Sequence, residues 1–194
     1  MNQDIGRAIV FSMPVVSAAV SLILISLDTT RSSNTVDRKI HYNMIAVYCL
    51  MILFWSGLVM HSIARDTFIA YLPVFFSSFA FIPVFLYRIT HIITDTGERK
   101  LFPACHFILP ACLTLIICAI ALAVPLRQRW AAIYDNEVNL TSAIIDITFI
   151  VCILLCILYS WLSLLRIKSY KRKIIDYSAD IYRMSLDWLS FIIL

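Results

Sequence analysis

The chain has 194 residues, of which 61% are hydrophobic and 14% charged, with a mean hydropathy of +0.88 and a formal net charge of +4. Soluble domains carry about a quarter of their residues as charged side chains, so this mixture excludes a water-soluble core and points to an integral membrane protein. The small positive charge has meaning only through the loops that carry it.

A helix crosses the hydrocarbon layer in about 20 mostly apolar residues, and runs of that length recur between short polar segments. The first runs from about 6 to 27, with Pro14 in its first half and Ser12, Ser17, Ser21 and Ser26 along it. Its leader, MNQDIG, is not basic, so a retained span is expected rather than a cleaved signal. The polar stretch 28–41 reads as a loop, and the second span covers about 42 to 63 and contains Gly57. A tight connection around Arg65 and Asp66 leads to the third span, about 68 to 87, made aromatic by Tyr71, Phe75, Phe76, Phe79, Phe81 and Phe85. Pro73 and Pro83 each remove a helical hydrogen bond, so a bend is expected there.

The segment from Ile82 to Pro110 is a polar hairpin between apolar runs. Tyr87 and Arg88 close the incoming run, residues from Thr94 to Lys100 supply turn chemistry around Gly97, and Phe102, Pro103, His106 and Pro110 open the next. The fourth span covers about 105 to 126, with Pro110 near its start and Pro125 in its last turn. The connection 127–142 carries Trp130 and Tyr134, residue types favoured at the membrane interface, and a short surface helix is expected there. The fifth span, about 143 to 165, has Asp146 in its first turn and Tyr159 and Trp161 towards its other end.

From 166 to 187 the chain is basic and amphipathic. Ile167, Tyr170, Ile174, Tyr177, Ile181 and Met184 recur at alternating steps of three and four, which gives one apolar helical stripe. Lys168, Lys171, Arg172 and Lys173 flank it and reach anionic lipid headgroups, the expected partner, with a homodimer seam as the alternative. WLSFIIL, from Trp188 to Leu194, is too short to cross and reads as the start of a sixth span in a chain expected to continue. The expected fold is all-α: one polytopic transmembrane helical bundle over 1–194, with five full spans and the start of a sixth.

Loop charge orients it. The segments after spans one, three and five hold Arg31, Arg38, Lys39, Arg88, Arg99, Lys100, Arg166, Lys168, Lys171, Arg172, Lys173 and Arg183. The opposite side holds Arg7, Arg65, Arg127 and Arg129, a tally of twelve against four among the 16 Lys and Arg. The positive-inside rule places the richer side in the cytoplasm and the N-terminus outside.

The search for chemistry is mostly negative. The sequence contains no HExxH, GxSxG, Walker A loop or GxGxxG, so neither an enzyme nor a bound cofactor is expected. Span centres hold no Asp, Glu, Lys, Arg or His, whereas proton relays and many coupled transporters need such groups. The six cysteines fall in or beside apolar runs, where thiols pack as small hydrophobes, and Cys152 and Cys156 lack CxxC spacing. Of the histidines, only His91 and His106, with Cys105, can approach one another at the base of the hairpin, and no metal is expected there. Asn139, Leu140 and Thr141 match a glycosylation sequon. The basic residues near Lys171 follow a span directly, so lipid is the simpler partner than nucleic acid, and no DNA-reading module is visible.

RITHIITDTGERKLFPACHFILP resembles a hairpin in the membrane domains of bacterial AraC-type transcription regulators, and IIDYSADIYRMSLDWL is similar to a later tract of theirs. Thr94, Thr96, Gly97, Phe102, His106 and Pro110 carry the first likeness; Tyr177, Ser178, Trp188 and Leu189 carry the second. Asp95 stands where a Gly is usual, Phe107 where Tyr is common, and the second tract lacks a doubled Tyr. The resemblance implies a signal-input or anchoring domain in the bacterial inner membrane, preceding a helix-turn-helix domain outside this chain. The candidate structural or coupling residues are Tyr87, His91, Thr94, Gly97, Phe102, His106, Pro110, Ile174, Tyr177, Ile181 and Trp188. A small transporter or channel component, or the input domain of a sensor kinase, is the alternative.

Overall fold

The structure is a computed structural model that describes residues 2–31, 35–94, 102–135 and 139–177. The described residues form α1 (Asn2–Arg31), α2 (Thr35–Ile63), α3 (Arg65–Ile93), a 3₁₀ turn (Ala104–Phe107), α4 (Ile108–Ala123), α5 (Leu126–Tyr134) and α6 (Leu140–Tyr177). Five helical segments, α1, α2, α3, the 3₁₀ turn together with α4, and α6, are long and apolar enough to cross a bilayer, so the chain is a multi-pass membrane protein with an all-α fold.

Most helices outrun the apolar segments that define them. The loop expected over 28–41 is largely helical, since α1 continues to Arg31 and α2 begins at Thr35. Backbone hydrogen bonding continues into the interface because nothing there breaks it, and hydroxyl side chains close on their own helix. Ser26, Thr29, Ser62, Ser78, Thr90 and Thr148 each donate to the carbonyl four residues earlier, which removes polar groups from competition in an apolar setting. The tight connection between α2 and α3 is Ala64 alone, with φ −140° and ψ 68°. Its N–H donates to the Met60 carbonyl and its carbonyl accepts from Phe68 N–H.

Proline sets the end of α4. Expected at 126, the helix stops at Ala123 because the ring of Pro125 forces Val124 into extended backbone, with φ −103° and ψ 125°. Pro125 then stands just before α5, the short helix expected at the membrane surface. In α3, by contrast, Pro73 and Pro83 do not divide the helix, which runs unbroken for 29 residues.

That helix is the spine of the bundle. It packs against α2 on one flank and against α4 and α6 on the other, whereas α1 packs on α2. Accordingly 44% of the most apolar stretch of α3 is buried but only 6% of that of α1, whose Val10, Met13, Val16, Val20 and Leu24 face outwards as lipid-facing side chains do. Phe68, Leu72, Phe75, Phe76, Ala80 and Val84 of α3 interdigitate with Leu113, Ile117 and Ile120 of α4 and with Ile145, Cys152, Leu155 and Tyr159 of α6. Gly57 lets α2 approach α3: a Cβ there would lie 2.6 Å from Cδ2 of Phe75, whose ring stacks on Phe54 at 5.0 Å.

The last helix changes the reading of the basic tail. Helix α6 has no break at 165; it extends through 38 residues, about 57 Å at 1.5 Å per residue, roughly twice the hydrocarbon thickness. Residues 166–177 therefore continue the fifth span as a rod, with Ile167 buried against Ile93 and Tyr170. Ile174 and Tyr177 are placed as backbone of this helix, and Ile181 and Met184 lie outside the described residues.

Candidate functional site

The C-terminal end of α3, the 3₁₀ turn and α6 meet where the polar hairpin leaves the bundle. Helix α3 brings Tyr87, Arg88, His91 and Thr94 to this end, one helical turn apart or less. Pro103 fixes the backbone at the start of the 3₁₀ turn, which presents His106 and Phe107, and Pro110 follows in the first turn of α4, fully buried. Helix α6 supplies Tyr159 and, two turns on, Arg166.

The contacts form one connected group. The ring of Tyr87 lies against Phe102 at 5.8 Å, His106 at 5.4 Å and Tyr159 at 5.6 Å between centroids. Phe102 also meets His91 edge-on at 5.6 Å and His106 at 4.9 Å. Nδ1 of His106 lies 3.1 Å from the Tyr159 hydroxyl, which in turn donates to the His106 carbonyl at 3.3 Å. Both bonds are satisfied together when Nδ1 carries the proton and the phenol oxygen accepts it. The guanidinium of Arg88 stands 5.9 Å from the centre of Phe102 and 5.8 Å from that of Phe107, within cation–π range.

A separate clasp lies beside this group. Nε of Arg166 donates to Oγ1 of Thr94 at 2.7 Å, and the same hydroxyl donates to the Thr90 carbonyl at 2.7 Å. Thr94 is the residue at which α3 ends, and its own N–H also reaches the Thr90 carbonyl. A cation placed there faces the negative end of the α3 dipole as well as the hydroxyl. Thr90 and Thr94 are buried and Arg166 is half-buried, so the clasp reaches from the bundle interior towards its surface.

The sequence-predicted residues Tyr87, His91, Phe102 and His106 are thus brought together, Thr94 belongs to the neighbouring clasp, and Pro110 is buried in the first turn of α4. Gly97, Ile181 and Trp188 lie outside the described residues, and Ile174 and Tyr177 are placed only as backbone of α6. His91 and His106 both meet the Phe102 ring, and among the described residues no group of three or more His, Cys, Asp or Glu is placed to hold a metal ion. The residues missed by sequence reading as site members are Tyr159, Arg166 and Arg88. The first two share one face of α6 with buried Cys152, Leu155, Ser163 and Ile167, a stripe at steps of three and four that marks the side turned to α3.

The opposite end of the bundle holds a second knot. Nδ1 of His61, at the end of α2, lies 2.8 Å from the Tyr134 hydroxyl on α5, and Arg65 stands 5.1 Å above the Tyr134 ring. Burial pushes the Tyr134 phenol above its ordinary pKa; Asp66 pushes the same way, against Arg65. Arg129, expected to mark the exposed loop, is buried and donates from Nη1 to the Ile69 carbonyl at 3.1 Å and from Nε to the Val124 carbonyl at 3.1 Å. The two ends are joined by the same two long helices, α3 and α6. No protein-family model, curated protein or solved structure matches the chain.

Proposed function

We propose that the chain is a signal-input or anchoring domain of a transcription regulator, with the DNA-reading part outside residues 1–194. The observation that carries this reading is the clasp of Arg166 to Thr94 on a helix that continues, without a break, from the bundle interior to Tyr177. A rod of residues 166–177 extends about 18 Å past the apolar span, so a rotation or shift of α6 against α3 is delivered beyond the membrane surface. A signal acts on such an element only to the extent that it binds the two packings with different free energies. The likeness of the hairpin to that of AraC-type regulators supplies the regulatory output. The loop-charge tally supports the bacterial inner membrane with the N-terminus outside, which puts the clasp and rod on the cytoplasmic side. Lys168 and Lys171, flanking the rod, favour anionic headgroups by about 1 kcal/mol each.

The test is transcript profiling of cells lacking the protein, complemented by the wild type or by Arg166→Gln. A defined set of transcripts should change on deletion, return with the wild type and fail to return with a variant that inserts normally. An unchanged transcript profile on deletion, or substrate flux through the purified protein in proteoliposomes, would overturn the regulator reading.

A further inference from the structure

Between the last turn of α1 and the first turns of α2 lies a cavity of about 400 Å³ lined by Ser26, Thr29, Thr30, Arg38, Tyr42 and Ile45. By helix direction it opens at the same end as Thr94 and Arg166, and it sits where the apolar runs of both helices give way to polar residues, at about 27 and 42. In a bilayer matched to these apolar runs, lipid phosphates lie beside such a boundary.

Donors and acceptors are segregated around it. The hydroxyls of Ser26, Thr29 and Thr30 already give their protons to the carbonyls of Leu22, Ile25 and Leu27, so towards the cavity they offer only acceptor lone pairs. On the α2 side the polar groups are the Arg38 guanidinium and the Tyr42 phenol, neither of which has a hydrogen-bond or ion-pair partner among the described residues. Arg38, Tyr42 and Ile45 are spaced at i, i+4 and i+7, which sets them on one face of α2. The neighbouring His41 and Asp28 are paired across the same helix junction at 3.3 Å, which holds α1 and α2 together beside the cavity.

We infer that this cavity binds one glycerophospholipid, its phosphate held by Arg38 and Tyr42 and its headgroup donating hydrogen bonds to Ser26, Thr29 and Thr30. A phosphate takes the forked guanidinium and a phenol proton. A row of acceptors beside it selects a headgroup with its own O–H or N–H, such as glycerol or ethanolamine, over choline, which has none. Ile45 and the outward apolar side chains of α1 provide the wall for an acyl chain. The inference stands apart from the regulator reading, since it needs only membrane insertion.

The experiment is native mass spectrometry of the purified full chain with equimolar phosphatidylglycerol, phosphatidylethanolamine and phosphatidylcholine. One retained phosphatidylglycerol or phosphatidylethanolamine is expected, in preference to phosphatidylcholine. Arg38→Gln should weaken retention roughly tenfold, the loss that follows removal of one charge-assisted hydrogen bond, and Tyr42→Phe should weaken it less. Lys39→Gln, which removes a neighbouring exposed charge outside the cavity, should leave it unchanged. Helical circular dichroism of each variant in lipid-free detergent, equal to that of the wild type, separates lost binding from lost folding. Equal retention of all three lipids, equal retention by Arg38→Gln, or an equal loss in Lys39→Gln would overturn the site. Displacement of the lipid by inorganic phosphate alone would also overturn it, making this a free-anion site.

Discussion

Arg129 donates from Nη1 to the carbonyl of Ile69 at 3.1 Å, and Ile69 is the residue whose helical donor would be the missing N–H of Pro73. The proline frees a carbonyl inside a membrane helix, and a side chain 60 positions further along the chain satisfies it. The same guanidinium, through Nε, takes up the Val124 carbonyl released where Pro125 ends α4. Arg129→Ala should therefore destabilise the bundle by about 3 kcal/mol, the cost of charge-assisted bonds lost and carbonyls left unpaired. In a Pro73→Ala background the loss should be smaller by about 1 kcal/mol, because the new N–H reaches Ile69. Reversible unfolding in mixed micelles measures both, and equal losses in the two backgrounds would dissociate Arg129 from the proline.

Thr94 and Arg166 form a second such pair, testable as a cycle. Thr94→Val and Arg166→Met should each cost about 1–2 kcal/mol, and the double variant less than their sum by about 1 kcal/mol. Strict additivity would mean that the clasp contributes nothing as a pair.

Tyr159 separates ring packing from hydrogen bonding. Tyr159→Phe keeps the contact with Tyr87 but removes the bonds to His106, with an expected loss of about 1 kcal/mol. Tyr159→Leu also loses the aromatic contacts and should cost a further 1 kcal/mol or about that. If the two variants are equally stable, the ring contacts are spectators.

Gly57→Ala places a methyl group against a packed Phe75 ring and should destabilise by about 1–3 kcal/mol. Combining it with Phe75→Leu should cost less than the two changes separately. A Gly57→Ala protein as stable as the wild type would show that α2 and α3 yield at this contact.

Topology is open to labelling of single cysteines in a cysteine-free variant. Positions 100 and 171 should react only from the cytoplasmic side, and positions 2 and 127 only from outside. Position 127 is chosen because Arg127 is exposed, whereas Arg129 is buried and unsuitable as a marker. Labelling of 100 but not 127 from outside would invert the orientation.

The sequence made the spans legible because apolar runs of bilayer length have one stable outcome, a helix. It also brought Tyr87, Phe102 and His106 into view together, since they bracket one hairpin. It did not reveal Tyr159 and Arg166, because which face of a uniformly apolar helix turns inwards depends on its neighbour: Leu155 is buried while Leu154 and Leu158 beside it are exposed. The burial of Arg129 was hidden for a related reason. An arginine after a span reads as a loop charge, and only the folded positions of the Ile69 and Val124 carbonyls give it something to satisfy. The helical boundary expected at 165 failed because charge marks where lipid ends, not where backbone hydrogen bonding does.

The central place of α3 also dictates an order of biogenesis. Helices α1, α2 and α3 are joined by short connections and meet as soon as they are made, but the partner of Thr94 is 72 positions downstream. Until ribosomes have passed Arg166, the flank of α3 that carries Val84 and Thr90 has no α6 to cover it and must be held by lipid or by the insertion machinery. Docking of α6 is thus the last step in packing the five described spans, and the clasp at Thr94 forms only once that helix is in place.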